Sequence, residues 1–492
     1  MRQNHQFYKR FSWIRYAIFI IGSILSSSMI YYYSISEKSL PWNRTDIISN
    51  KNYPKKIEYF RNRNMKQMKD EIYLDYTGAS MYNPQILSLL RNEFYDTLPF
   101  VNKIPNSTKK TAGNYIKDAR NSVLNFLHTN SSEYSVIFLA SATHALKLVG
   151  EFFPWSSSSK YIYTKYNHNS VLGIRKYALS NNATFNVVDS YENVTNVVRS
   201  LYKEDEKMKH LIAFPLEDNF AGTKMQYKQM KELTNEESAK NGNYALFADA
   251  AAFLPTNKLN LSDTPFHAVC LSFYKIIGFP NVGALIIRND FAQKLRKSYY
   301  SMYSGAYSND ESSDNQLHND IQQRLEDDSI TPDNALAITK GLEFISSLGI
   351  KNINDHVWKL TRKLVDGLSK FNITIYGNHA LNNNDIQGGI VSFNMYSKEG
   401  TILGYSKVVS DASKHRIHLR GGCHCNPGAC FTSSKLNENR VKEYFDKKET
   451  CGDSLDVIDG IPLGAVRASL GWSSTDSDIE GFLTWIKNYL EM

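Results

Sequence analysis

From Glu71 onward the chain alternates short, almost wholly apolar runs with amphipathic stretches of helical period. Apolar runs bounded by turn residues read as strands buried on both faces, and helices between such strands make the sheet mostly parallel. The runs lie at 134–140, 161–164, 211–215, 243–249, 267–271 and 283–287. Amphipathic helices are expected over 84–98, 115–127 and 145–153. Thr331-Pro332-Asp333 opens a helix over 334–348, which joins a large domain (71–348) to a smaller one (349–492). The smaller part again mixes helices (357–368, 476–490) with strands (373–376, 390–394, 417–420, 465–470). Apolar content of 42% against 22% charged residues suits a chain with a proper core. This is an α/β protein.

Within that frame one lysine stands out, in Leu271-Ser272-Phe273-Tyr274-Lys275-Ile276-Ile277-Gly278-Phe279-Pro280. An amine at the end of a buried strand, beside a Gly/Pro turn, is desolvated and becomes a usable nucleophile. A lysine at a strand end is, taken alone, more often a surface residue. One strand earlier, Phe247-Ala248-Asp249-Ala250-Ala251-Ala252 places an acid among small residues. Alone, that acid reads as a cap or a turn residue. Together the two match pyridoxal phosphate, which needs a lysine for covalent attachment and an acid for its pyridinium nitrogen. Ser141-Ala142-Thr143-His144 turns a strand into a helix. Such a turn offers backbone N–H groups and a helix dipole to a phosphate, while its hydroxyls serve equally as ordinary caps. His168, after the 161–164 strand, reads as a cap, and Asn219 as an Asx-turn residue.

The loop Arg420-Gly421-Gly422-Cys423-His424-Cys425-Asn426-Pro427-Gly428-Ala429-Cys430 holds three of the five cysteines. Zinc ligation, structural or disulfide cysteines, and a nucleophilic thiolate on a mobile loop are all open readings of it. His424 and Arg420 are the neighbours that would favour a thiolate. Net charge is +8, but no zinc module, arginine-rich helix or basic-aromatic stripe accompanies it, so nucleic-acid binding is not expected.

Tyr73-Leu74-Asp75-Tyr76-Thr77-Gly78-Ala79, the lysine segment, Arg324-Leu325-Glu326-Asp327 and the cysteine loop run in collinear order. Together they resemble the cysteine-desulfurase-like part of molybdenum cofactor sulfurases, within the class V aminotransferases. The resemblance implies the pyridoxal-phosphate transferase fold type I: a large, mostly parallel seven-stranded sheet domain plus a small α/β domain. It implies that Lys275 carries pyridoxal 5'-phosphate and moves the Cα proton, and that Asp249 pairs with the ring nitrogen. Asn219 would bind the ring hydroxyl, and His168 would stack on the ring and pass protons. Ala142, Thr143 and Ser272 would hold the phosphate, and Arg467, near Gly78 and Ala79, the substrate carboxylate. L-Cysteine would become L-alanine while Cys425 keeps the sulfur as a persulfide. That sulfur would pass to an acceptor such as the molybdenum cofactor or its carrier protein, in a homodimer. A general cysteine desulfurase, another class V lyase or transaminase, and an inactive tethered homologue are the competing readings.

The chain departs from that pattern at three places. The stretch 299–306, where a glycine-rich run is usual, has one glycine, which weakens the expected phosphate contact across a dimer. The chain ends at Met492, about where the desulfurase part ends, so no C-terminal molybdenum-cofactor-binding domain is expected. Third, a basic segment (1–15) precedes an uncharged apolar run (16–35) and a polar linker (36–70) that ends in a helix-prone basic stretch. The run is just long enough for one membrane span, with Tyr31, Tyr32 and Tyr33 at the interface. The expectation is a single-pass anchor with the catalytic domain facing the cytosol. A cleaved signal, a mitochondrial presequence and a soluble cytoplasmic protein are the alternatives.

Overall fold

The apolar runs do become strands of one sheet. The computed structural model describes residues 52–97, 112–189, 194, 196–197, 210–226, 230–235, 243–301, 303–308, 315–447 and 455–491. β1 (Ile72–Tyr73) stands apart from that sheet. Among the described residues β2 (Tyr134–Leu139), β3 (Lys160–Thr164), β4 (Thr184–Val188), β5 (His210–Pro215), β6 (Tyr244–Asp249), β7 (Ala268–Ser272) and β8 (Gly283–Arg288) form a seven-stranded sheet ordered β2-β8-β7-β6-β5-β3-β4. Pairings from β7 to β4 are parallel, and β8 runs antiparallel between β7 and β2. Every residue of β2, β5, β6 and β7 is buried, which is why these strands read as continuous apolar runs. The sequence reading missed β4. It is an edge strand whose first four residues are exposed, so burial imposes no apolar run on it.

Strand polarity decides where the site forms. The carboxyl ends of β2, β3, β5, β6 and β7 all emerge on one edge of the sheet, the usual ligand edge of an open α/β sheet. Each is followed by one of the expected site segments. β8 starts on the same edge, and a Cβ at Gly283 would lie 2.3 Å from the carbonyl carbon of Ser141. Glycine alone lets β8 begin that close to the Ser141 turn.

The second sheet comes from the C-terminal third. After the hairpin β9 (Gly305–Ser308) and β10 (Asn315–Leu317), the strands are β11 (Ile373–Tyr376), β12 (Ile390–Met395), β13 (Ile417–His418), β14 (Arg420–Gly422) and β15 (Ala465–Ser469). β11-β12-β15-β14 form an antiparallel sheet. β1 pairs in parallel with β13, and Asp75 bridges to Ser469, so the first strand docks against the far end of the chain.

Within the stretch read as a linker, the described part is folded. The helix Tyr53–Asn64 buries Tyr53, Ile57 and Phe60, spaced to share one face. The Tyr53 hydroxyl donates to the Trp472 carbonyl at 3.0 Å, and Arg61 pairs with Asp478, Nη2 to Oδ1 at 2.8 Å. The structure corrects the expected membrane-anchored protein: among the described residues no helix is long and apolar enough to cross a membrane. The basic segment 1–15 and the apolar run 16–35 on which that expectation rested lie outside the described residues. The transmembrane helix in the fold assignment and the cytosol-facing anchored placement therefore lose their support.

The Arg324-Leu325-Glu326-Asp327 segment turns out to seal the β2 edge. Buried Glu326 accepts the Phe138 N–H through Oε1 at 2.8 Å and takes both terminal nitrogens of Arg120, at 2.8 and 2.9 Å. Arg120 also donates to the Val136 carbonyl. Removing one partner strands a buried charge and an edge amide. Glu326→Ala is expected to lower unfolding free energy by roughly 3–5 kcal/mol, read from urea unfolding. The double replacement Arg120→Met/Glu326→Leu should recover part of that loss; a single mutant within 1 kcal/mol (about the error of such measurements) of wild type would rule out the clamp.

Candidate active site

Lys275 follows β7 directly. Instead of a simple turn, the chain makes one short helix, Phe273–Ile277, ended by Gly278 at φ +77°. A Cβ there would sit 2.5 Å from the Tyr82 nitrogen, so glycine is required twice over. Phe273, Ile276 and Ile277 are buried and Lys275 is half-buried among them, and desolvation is the main reason its amine lies below the ordinary lysine range. Asp249 opposes the shift, while Arg467 and Arg420 add to it. The result is an amine that loses its proton more readily than a surface lysine and is therefore nucleophilic.

Ala142, Thr143, His168, Asn219, Asp249, Ser272 and Lys275 line one pocket. At one end, the Ala142 N–H donates to Ser272 Oγ at 3.0 Å, and Thr143 and Ser170 share a hydroxyl contact of 2.8 Å. Ser141 caps the helix Ala142–Phe152 through the His144 N–H, at 3.3 Å. Hydroxyls at a helix N-terminus suit a phosphate. At the other end Asp249, buried at the tip of β6, accepts the Ala251 N–H at 3.0 Å and faces the Cys270 thiol at 3.6 Å. Burial pushes that thiol well up, so Cys270 stays protonated. His168 is both cap and pocket wall: its Nδ1 accepts from the Ser170 N–H at 3.1 Å, and burial keeps its ring below the ordinary histidine range. Amine, acid, imidazole and hydroxyl cradle thus fit an aldehyde cofactor with a phosphate arm.

Arg467, Gly78, Ala79 and Cys425 are not among the residues that line this pocket; they lie on neighbouring segments tied to its wall. Arg467, 2% exposed, donates through Nη2 to Asp75 Oδ1 at 3.0 Å and through Nη1 to the Asn219 carbonyl at 2.8 Å. Arg420 grips the same Asp75 through Nε and Nη2, at 3.0 and 2.7 Å. The loop carrying Gly78 and Ala79 is held at one end by Asp75 and at the other by the Ser80 N–H, which donates to the Tyr274 carbonyl at 3.0 Å. That bond joins it to the residue beside Lys275.

The cysteine loop divides its thiols. Cys423 and Cys430 form a disulfide, whereas Cys425 is free and exposed. With those two sulfurs bonded to each other, no metal-binding cluster remains among the described residues. His424 and Cys425 both adopt left-handed backbone, φ 54° and 57°, after Gly422 at φ 110°. Non-glycine residues rarely do so, and two in succession turn one side chain inward and the next outward. The loop is anchored: the Cys425 carbonyl accepts the Asn169 N–H at 2.7 Å. Asn426 is fully buried, caps the helix Pro427–Ser433 and donates to Asn219 Oδ1 at 3.1 Å. Asn219 Nδ2 in turn donates to the His424 carbonyl at 2.6 Å. The His424 ring lies far below its ordinary range, through burial and then the charges of Arg467 and Arg420. A neutral ring gives a thiolate no ion pair; the nearby cation is Arg420, which is raised chiefly by its bonds to Asp75.

Glu217 is a pocket residue that sequence reasoning passed over. Burial pushes its carboxyl up to about 8 against the pull of Lys224. Its signal was an acid directly after a buried strand, at the carboxyl edge. Ser170 and Asp75 had no part assigned from sequence.

This chain belongs to the aminotransferase class-V family, which it matches over residues 72–482. It is 31% identical to a human molybdenum cofactor sulfurase over 88% of this chain and 51% of that protein. It is 34% identical to the Arabidopsis thaliana molybdenum cofactor sulfurase, over 88% and 58%. The chain thus spans about half the length of the curated relatives it matches. In fold it is similar to the apo cysteine desulfurase of Thermococcus onnurineus NA1, with a TM-score of 0.71 at 18% identity, covering 88% of this chain and 98% of that one.

Brief iodoacetamide treatment of native, unreduced protein is expected to modify Cys425 well ahead of Cys423, Cys430 and buried Cys270, read by peptide mass spectrometry. Equal early labelling of Cys423 and Cys425 would remove the disulfide from the picture.

Proposed function

We propose that the protein is a pyridoxal-phosphate-dependent sulfurtransferase of the molybdenum cofactor sulfurase kind, taking sulfur from L-cysteine and leaving L-alanine. The observation that carries this is a desolvated, low-pKa amine in a pocket whose wall residue Asn219 is bonded to the loop that carries an exposed free thiol. The amine alone fits many reactions of the family; the thiol beside it fits sulfur transfer.

Bound pyridoxal phosphate supplies an electron sink for the Cα electrons of the substrate. Lys275 would hold it covalently. Ala142, Thr143 and Ser272 would hold its phosphate, Asp249 its protonated ring nitrogen and Asn219 its ring hydroxyl. His168 would lie on its face. Arg467 binds the α-carboxylate of L-cysteine, with the backbone of Gly78 and Ala79 closing that side. Lys275, whose surroundings favour loss of its proton, takes the Cα proton. Cys425 attacks the substrate sulfur as a thiolate: an S–S bond forms, the Cβ–S bond breaks, Cβ takes up a proton equivalent to the one the substrate thiol gives up, and Lys275 returns its proton to Cα. L-Alanine departs and the persulfide stays on Cys425, outside the buried pocket, where an acceptor reaches it. The acceptor in this reading is the molybdenum cofactor or its carrier protein, an oxo ligand being exchanged for a sulfido ligand. A homodimer fits the exposed Tyr299, Tyr300 and Tyr307 around the β9–β10 hairpin.

In full-length protein loaded with cofactor, Lys275→Ala is expected to abolish the visible absorbance of lysine-bound cofactor and slow alanine release by roughly 10²- to 10⁴-fold. Cys425→Ala should keep the absorbance yet lose both alanine release and protein-bound sulfane sulfur. Undiminished alanine release from Cys425→Ala would discard the thiol step in favour of a lyase.

A further inference from the structure

Buried polar atoms without partners are rare and costly, and a cluster of them needs an explanation. Among the described residues, both ring nitrogens of His424 and Nε of Arg467 are buried and make no hydrogen bond. These atoms belong to one neighbourhood. Arg467 donates to the Asn219 carbonyl, and Asn219 donates to the His424 carbonyl. The His424 ring packs on Phe220, the residue after Asn219, with centroids 5.7 Å apart.

The chemistry of these atoms is specific. Arg467 has committed Nη1 and Nη2 to Asn219 and Asp75, which leaves Nε, a donor only. A neutral imidazole has one N–H to donate and one lone pair. Arg420 and Arg467 share Asp75, so in direct contact two guanidinium groups outnumber one carboxylate, while buried Asp218 also acts on Arg467. Two donors in a positive, water-poor setting suit a carboxylate. By contrast, the amides beside the Lys224 cavity are already used: Asn384 donates to Asn354, Asn354 to Asn257, and Asn257 to Glu217. That wall has no comparable unmet demand.

We infer that His424 is a substrate-binding residue whose ring N–H joins Arg467 Nε in holding the α-carboxylate of the amino-acid substrate. This rests on the reading of an amino-acid substrate proposed above. Its consequence is mechanical. The residue that contacts the carboxylate is covalently next to Cys425, and its left-handed backbone sends the ring inward while the thiol faces out. Docking of the amino acid thereby bears directly on the segment that carries the thiol.

The test compares L-alanine with ethylamine, which is alanine without its carboxylate. Both are titrated into full-length, cofactor-loaded protein and followed by cofactor absorbance. His424→Phe keeps the packing on Phe220 and removes the N–H; His424→Gln restores a donor. The expected result is about tenfold weaker L-alanine binding in His424→Phe, unchanged ethylamine binding, and recovery of most of the loss in His424→Gln. Equal weakening of both ligands, or unchanged L-alanine binding, overturns the assignment. A wild type that shows this His424 dependence for alanine yet releases none from cysteine supports the assignment while removing the desulfuration reading.

Discussion

A single carboxylate, Asp75, joins parts of the chain that are hundreds of residues apart. Arg420 from β14 and Arg467 from β15 both close on it, and its own loop runs on to Ser80, bonded to the residue beside Lys275. One anion between two guanidinium groups is held by charge-assisted hydrogen bonds, which are short and directional. The clamp fixes the second sheet against the lysine segment, and with it the loop that carries Cys425. Gly78 belongs to the same device, since a Cβ there would lie 2.4 Å from Asp75 Oδ2. Charge balance explains why two arginines can lie so close: each is repelled by the other and attracted by the acid between them.

Around that clamp the protein sets two reactive groups in opposite environments. The Lys275 amine is largely desolvated, and desolvation is what lowers its hold on its proton. Cys425 is exposed on a turn of left-handed residues, where an acceptor can approach. Its two cysteine neighbours are bonded to each other, which brackets the free thiol within a tied loop. The intervening residues do different work from what their types suggest. His424 is neutral and inward, and Asn219 is bonded to the cysteine loop on both sides of its amide. The amino-acid side of the site and the thiol side are thus one connected network.

Much of this was legible in the chain itself. Buried strands must be apolar on both faces, so β2, β3, β5, β6 and β7 were visible, and the segments that follow them held the site. β4 was not visible, because an exposed edge strand carries no such demand. The helix Tyr53–Asn64 showed only as a helix-prone basic end to a polar stretch, because its buried face is just Tyr53, Ile57 and Phe60. Glu217 escaped notice because an acid after a strand is common, and only burial makes it unusual.

What the sequence by itself determined is the chemistry on offer: a lysine at a strand end, an acid one strand away, hydroxyls at a helix start and cysteines in a glycine-flanked loop. These are local facts, written in residue type and short spacing, and local sterics and hydrophobic period suffice to read them. Only the tertiary structure decided which cysteine stays free, that Arg467 shares Asp75 with Arg420, and that His424 turns inward with its nitrogens unmatched. Those outcomes depend on contacts between residues remote in sequence, and on burial, which shifts a proton affinity by removing water and leaves no mark in the order of residues.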